Sequence, residues 1–323
     1  MSTFFLLFLP VIVPILGGFG VFIIRFQNRT ARQIYVGAVV IVNMILSLVA
    51  IFVAPKGQTV TLIPFTENYS IALRLDGMAV FFGFILCTLW VVATFYSFEY
   101  MKHEGKENKF FGFYTMSFGI AMGLAFSANL LTFYLFYELL TLGTLPLVMH
   151  AMNPQAQYAG KKYIVYSIGG AAFAFIAMVF MMYYGTSLDF TFGGVLDMLQ
   201  VAGHEQWLLV VFVLAFFGFG VKAAVFPLSG WLPSAGVAPT PVTALLHAVA
   251  VVNAGVYALV RLIYYTFGTE FLSGSWAQYV VMSAALVTIV YGSSMALRTP
   301  HLKRRLAYST VSNLSYMVFL RVW

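Results

Sequence analysis

Apolar runs of about twenty residues, separated by short polar turns, dominate this sequence. A helix rises about 1.5 Å per residue, so roughly 20 apolar residues cross the hydrocarbon core of a bilayer. Such runs lie at 4–24, 34–54, 78–98, 110–127, 129–149, 162–184, 207–231, 241–266, 277–297 and 305–322. Of the 323 residues, 62% are hydrophobic and 8% are charged. A soluble domain carries roughly 25% charged residues, so no soluble fold of this size could hide so much apolar surface. The expected fold class is an all-α polytopic membrane protein with about ten transmembrane helices.

The charges follow the same alternation. Arg25, Arg29, Arg32, Lys102, Lys106, Lys109, Lys161, Lys162, Arg298, Lys303, Arg304 and Arg305 fall after the first, third, fifth and ninth runs. The opposite side has Lys56 and Arg74, while Arg261 is expected to snorkel to the outer interface. Basic loops stay in the cytoplasm, so both termini are expected outside. The net charge of +7 is thereby a topology signal, and nucleic-acid binding is not expected because no loop could form a basic domain. His150 and the Lys161/Lys162 pair read as cytoplasmic-loop residues. The outer loops 55–77 and 185–206 are too short for a domain; Asp189, Asp197, His204 and Glu205 read as a solvated cap.

The chemistry-bearing inventory is sparse. The one cysteine, Cys87, sits in an apolar run, which excludes a disulfide framework, an iron–sulfur cluster or a cysteine zinc site within the chain. The five histidines are scattered without an HExxH pattern, and no P-loop is present. Gly218 and Gly220 lie inside an apolar run and do not form a dinucleotide loop. No metal and no cofactor is expected in this chain.

Two ionisable residues stand out inside the runs. Glu138 lies near the middle of the fifth, and Lys222 lies in the seventh. A charge at membrane depth is costly and is by default a functional candidate; the competing reading is a fixed brace between helices. Pro227 and Pro233 follow Lys222, and proline removes a backbone donor, so the seventh helix is expected to break a turn after the lysine. Broken helices at membrane depth occur where they are buried in protein or line a wet cavity. If such a pair separates, the lysine loses its anion and can release a proton, which couples movement to protonation. His247, in the eighth run, is either a relay or a satisfied core histidine. Asn253 could bind a water file or pack against another helix.

The segment VKAAVFPLSGWLPSAGVAPTPVTALLHAVAVVNAGVY resembles the core signature of the antiporter-like subunits shared by respiratory complex I, Mrp cation/proton antiporters and energy-converting hydrogenases. RLDGMAVFF at 74–82, LTFYLFYELLTLGTLPL around Glu138, AGKKYIVYSIGG at 159–170 and HLKRRLAYSTVSNLSYM at 301–317 are similar to the same family. The resemblance implies a coupling pair at Glu138 and Lys222 and a proton-loading group at His247. It implies a further polar path past Asn253, Ser229 and Lys303. The sequence departs from the family where Asn253 replaces a frequent lysine, Ser229 a histidine and Ser234 an acid.

The family has about fourteen spans, including two inverted five-helix repeats. By that likeness 1–108 is an N-terminal three-helix segment, 109–266 a complete translocating unit with a broken seventh helix, and 267–323 the start of a second, incomplete unit. A C-terminally truncated chain, or half of a split subunit, is the expectation. The implied function is a proton or Na⁺/proton translocating subunit of a redox-driven complex, without redox chemistry of its own. The alternatives are membership of an Mrp-type antiporter and a non-conducting structural role. The expected partners are other membrane subunits, protons or Na⁺, and the lipid bilayer of a bacterial or archaeal cell membrane.

Overall fold

The computed structural model describes residues 2–66 and 69–321, with backbone alone for His247 and Arg321. In chain order the helices are α1 (Thr3–Ile24), α2 (Arg29–Val53), α3 (Gly77–Tyr100), α4 (Glu107–Ala125), α5 (Leu130–Val148), α6 (Pro154–Tyr184), α7 (Met198–Val201), α8 (Glu205–Gly220), α9 (Trp231–Ala235), α10 (Thr240–Ala244), α11 (Val251–Arg261), α12 (Thr269–Leu272), α13 (Trp276–Arg298) and α14 (Leu302–Arg321). Among the described residues six helices, α1, α2, α3, α5, α6 and α13, are long and apolar enough to cross a membrane. Helices also occupy the other four expected runs. Of these, α4 and α14 are long but less apolar, and the seventh and eighth runs are divided into shorter pieces.

Contacts divide the chain into two units. One comprises 1–128, 135–160 and 237–250, and the other 129–134, 161–236 and 251–323.

In the first unit α4 is the centre. Nearly every residue from Phe110 to Ala125 is buried, as expected of a helix surrounded by others. Glycine makes the close approaches possible. A Cβ on Gly119 would lie 2.2 Å from the Val11 carbonyl oxygen, and one on Gly18 would lie 2.5 Å from that of Gly112. Small residues are how membrane helices bring their backbones together when lipid supplies no hydrophobic drive. Trp90 of α3 stacks on Phe118 at 4.9 Å.

The sheet corrects the all-α expectation. Strands β1 (Thr59–Pro64) and β2 (Ser70–Arg74) pair antiparallel with Thr59 opposite Arg74, inside the loop 55–77. The second edge of β2 is also used: Ala128 N donates to Ala72 O at 3.0 Å and Arg74 N to Phe126 O at 2.7 Å. Ile71, Ala72 and Leu73 are buried, so this strand is tied down by its apolar residues and by both backbone edges.

The basic residues of the first connection have partners inside this unit. Arg32 is 5% exposed and within α2, and its guanidinium bonds Glu107, which is 8% exposed. Arg29 reaches the other carboxylate oxygen at 2.8 Å. Arg32 Nη1 donates to Asn108 Oδ1 at 3.1 Å, and Asn108 Nδ2 to the Phe26 carbonyl at 2.9 Å. His150 closes the nearby turn. It is 1% exposed, and its Nε2 lies 3.0 Å from the Gly105 carbonyl, so the neutral ring with Nε2–H fits. Its Nδ1 is buried and meets no partner among the described residues.

The second unit packs α11 against α8 and α14, and α13 against α8 and α14. α6 and α8 meet through glycine again, since a Cβ on Gly170 would lie 2.6 Å from the Gly218 carbonyl. This accounts for Gly218 of FFGFG as a helix-crossing residue, whereas Gly220 faces Val225 of the segment that follows.

Two outcomes follow from the first unit. Removing one partner of a buried ion pair strands the other, so Glu107→Ala should cost about 3–5 kcal/mol. It should lower the thermal unfolding midpoint in detergent, while Glu99→Ala, whose partner Lys102 is at the surface, should leave it unchanged. Burial of the His150 ring is the main cause that pushes its pKa below the ordinary 6.5. The unfolded chain therefore takes up this proton first as pH falls. Stability from His150 is complete above pH 6.5 and is lost as pH drops through the lower folded value. Melting curves from pH 7.5 to 5 should show that loss, and His150→Gln should flatten it.

Candidate functional site: a lysine at a helix break

The seventh run breaks earlier than its prolines suggest. α8 ends at Gly220, and Lys222 lies in the turn Val221–Ala224 that follows. The expectation that the lysine rides on the helix and the break comes a turn later is thus corrected. Ala224 takes a left-handed φ of 56°, and the Phe226–Pro227 peptide is cis. The chain resumes with a 3₁₀ turn at Leu228–Gly230 and then α9, with Pro233 inside it. Gly218 and Gly220 are weak helix formers, and the freed backbone groups find partners outside the helix.

Those partners are specific. Trp231 Nε1 donates to the Val221 carbonyl at 2.7 Å. Phe226 N donates to Thr288 Oγ1 of α13 at 2.9 Å. Val225 N donates to the Gly220 carbonyl at 3.0 Å. Gly255 of α11 presses on the same turn: a Cβ there would meet Ala223 N at 2.2 Å and the Lys222 carbonyl carbon at 2.6 Å. Lys222 itself is 0% exposed. A broken backbone in an apolar protein is tolerated because it is buried and its polar groups are satisfied.

Other predicted residues of this unit lie on three separate elements. Ser229 is 2% exposed in the 3₁₀ turn. Lys303 lies on α14, its Cβ 3.8 Å from where a Gly236 Cβ would be. Asn253 is half-buried on α11.

Lys162 corrects another reading. It is half-buried within α6 and not in a loop. Its Nζ donates to Ser234 Oγ at 3.2 Å, and that hydroxyl donates to the Gly230 carbonyl at 3.0 Å. The signal was present: Lys162 stands within AGKKYIVYSIGG, at the start of an apolar run where a lysine can reach inward. α6 starts eight residues before the expected span, so the pair belongs to the helix.

Glu138 and His247 belong to the first unit. Glu138 is half-buried in α5, with one carboxylate oxygen shut off from the surface. The eighth run, expected as one helix, is divided. α10 ends at Ala244, a π-helical turn covers Leu245–Val249, Ala250 bends, and α11 begins at Val251. His247 sits in that π turn, which packs on α3; its side chain lies outside the described residues. π turns within helices concentrate at functional sites. The signals for this break are Pro239 and Pro241 upstream, though a π turn has no signature that would have located it.

The pattern of the family described as "NADH:quinone oxidoreductase/Mrp antiporter, TM" matches residues 127–322, more than half of the chain. The chain is 29% identical over 309 residues to a Na(+)/H(+) antiporter subunit of Alkalihalophilus pseudofirmus, covering 92% of this chain and 37% of that protein. It is 27% identical over 326 residues to "NAD(P)H-quinone oxidoreductase subunit 5, chloroplastic" of Piper cenocladum, covering 96% and 43%. The chain thus spans about two fifths of the length of these relatives. Its fold is similar to a chain of the Mrp complex from Dietzia sp. DQ12-45-1b, with a TM-score of 0.82 at 24% identity, covering 98% of this chain and 34% of that one. It is also similar to a chain of the membrane-bound sulfane sulfur reductase, an archaeal respiratory membrane complex. That TM-score is 0.80 at 21% identity, covering 97% and 64%.

The packing of Gly255 on the lysine turn is open to test. Gly255→Val must displace the Lys222–Ala223 backbone, and overpacking of this kind costs about 1–3 kcal/mol. Its unfolding midpoint should fall clearly below that of Gly169→Val, where a Cβ meets no atom within 4 Å.

Proposed function

The chain belongs to the NADH:quinone oxidoreductase/Mrp antiporter membrane family, and from that premise we propose that it moves protons, or exchanges them for Na⁺, across the membrane as one subunit of a larger complex. The observation that carries this reading is the fully buried Lys222 at the break between α8 and α9. A buried ammonium in an apolar protein is expensive unless its proton is put to use or its charge is balanced. The proposal pairs it with Glu138, so that movement of either helix changes how well the lysine holds its proton.

His247 is assigned as the loading group of the eighth run. Ser229, Asn253 and Lys303, joined by Lys162 and Ser234, are assigned to the polar path. The proposal includes ten spans, with 109–266 as the translocating unit, 1–108 as its N-terminal segment and 267–323 as the beginning of a second repeat. Both termini lie outside and the basic loops face the cytoplasm of a bacterial or archaeal cell. No redox cofactor is assigned to this chain; electrons would pass through other subunits. The Mrp reading is favoured by similarity to a Na(+)/H(+) antiporter component and to a chain of an Mrp complex. The redox-driven reading is favoured by similarity to a quinone oxidoreductase component. The proteins that co-purify separate them.

Glu138→Gln and Lys222→Met should each lower ion translocation by the purified complex at least about tenfold while the complex assembles normally. Translocation at the wild-type rate in either variant would refute the coupling pair. Loss of assembly in both would favour a structural brace.

A further inference from the structure

Arg261 was expected to reach the outer interface, yet it is 1% exposed and surrounded by rings. Its guanidinium carbon lies 4.6 Å from the centroid of Tyr265, 4.8 Å from Phe190 and 5.0 Å from Tyr257. Its Nη2 donates to the Tyr257 hydroxyl at 2.6 Å. A guanidinium stacks on aromatic faces and is less strongly hydrated than an ammonium, so a ring cage holds it well.

The cage has a definite place along the second unit. Gly255 packs on the Lys222 turn, and Arg261 follows six residues later, about 9 Å along α11 at the helical rise. Phe219, one turn before Lys222 on α8, meets Phe133 at 6.0 Å; Phe133 meets Phe190 and Tyr257 at 5.9 Å each. Phe133, Phe190, Phe219 and Tyr257 are all buried. From Phe219 in the last turn of α8, the packing runs back toward the end where α8 and α13 begin, since Phe267, six residues after Arg261, meets Phe212 of α8 at 5.2 Å and Trp276 Nε1 donates to Gln206 at 2.9 Å. The turn 298–301 and Lys303 lie at the other end of α13.

The loop carrying Phe190 is fastened over the cage. Leu130 N donates to the Leu188 carbonyl at 2.9 Å. Gly193 N donates to Tyr264 O and Val195 N to Thr266 O, both at 2.9 Å. Tyr264 and Thr266 belong to the π-helical segment Leu262–Phe267 that directly follows Arg261. Gly268, at φ 82°, passes so close that a Cβ would lie 2.0 Å from the Gly193 carbonyl.

We infer that Arg261 and its aromatic cage form a seal that closes the Lys222 site on the side of the 185–206 loop. The rings exclude the water that would carry a proton. The guanidinium holds its own proton at any pH the protein meets and cannot hand it on. It stands as a fixed positive charge against hydronium or Na⁺, as an arginine does in pores that exclude cations. With this side closed, Lys222 exchanges protons only with the opposite side until the cage is displaced. The inference rests on the proposed role of Lys222 as the proton-carrying group.

The test is proton leak through the purified complex in proteoliposomes, read by a trapped pH dye under an imposed K⁺ diffusion potential. Wild type should be tight, and Arg261→Met should leak at least about tenfold faster. Arg261→Met with wild-type tightness overturns the seal. The double variant Arg261→Met/Lys222→Met separates the two ideas. Return to wild-type tightness supports both the seal and the Lys222 path. An undiminished leak leaves the seal standing and removes Lys222 from the path. If Arg261→Met does not fold, Tyr257→Phe, which keeps the ring and removes only the hydroxyl, must leak more than wild type; a tight Tyr257→Phe overturns the inference.

Discussion

The burial of Lys222 is the constraint on which the second unit depends. A lysine with no exposed surface in a chain this apolar must be held in place by the structure around it. The break in the helix serves that need. It takes the lysine off a regular helix and places it in a turn whose first carbonyl accepts from a tryptophan, while the backbone just beyond the turn donates to a threonine on another helix. Gly255 then lets α11 lie directly on the turn. Each of these features is costly or unusual alone; together they specify one position for the lysine backbone.

The first unit is built on a different principle. α4 is enclosed on all sides, and its approach to α1 runs through glycines at spacings where any side chain would collide with a carbonyl. At one end an ion-pair cluster joins α2 to α4 through Arg29, Arg32 and Glu107. Such a cluster stabilises little over apolar packing but is expensive to break.

Much of this was legible in the sequence because the membrane imposes a coarse rule. The helices fall on the apolar runs since a bilayer leaves the backbone few other choices. Glu138 and Lys222 stood out because charge at that depth is rare. The misreadings have a common cause. Positions near the ends of runs point Arg32, Lys162 and Arg261 to interfaces, but long cationic side chains can turn inward when an acid, a hydroxyl or aromatic rings wait there. For Arg32 and Lys162 those partners are far away in sequence, beyond the reach of any periodicity. The break before Lys222 was also displaced, since the prolines mark where a helix cannot continue and not where it first yields. The hairpin at 59–74 carries no distinct sequence signal, because its strand residues read equally well as an apolar-flanked loop.

The most direct measurement is thiol labelling at the break. The single native cysteine, Cys87, is buried, so a Cys87→Ala background is a clean one. In it, a thiol placed by Lys222→Cys should react with a small water-soluble reagent added from the side of the basic loops. One placed by Phe216→Cys, deep in α8, should not. Equal inertness of the two positions would mean that no hydrated path reaches Lys222, and would contradict its role as a proton carrier.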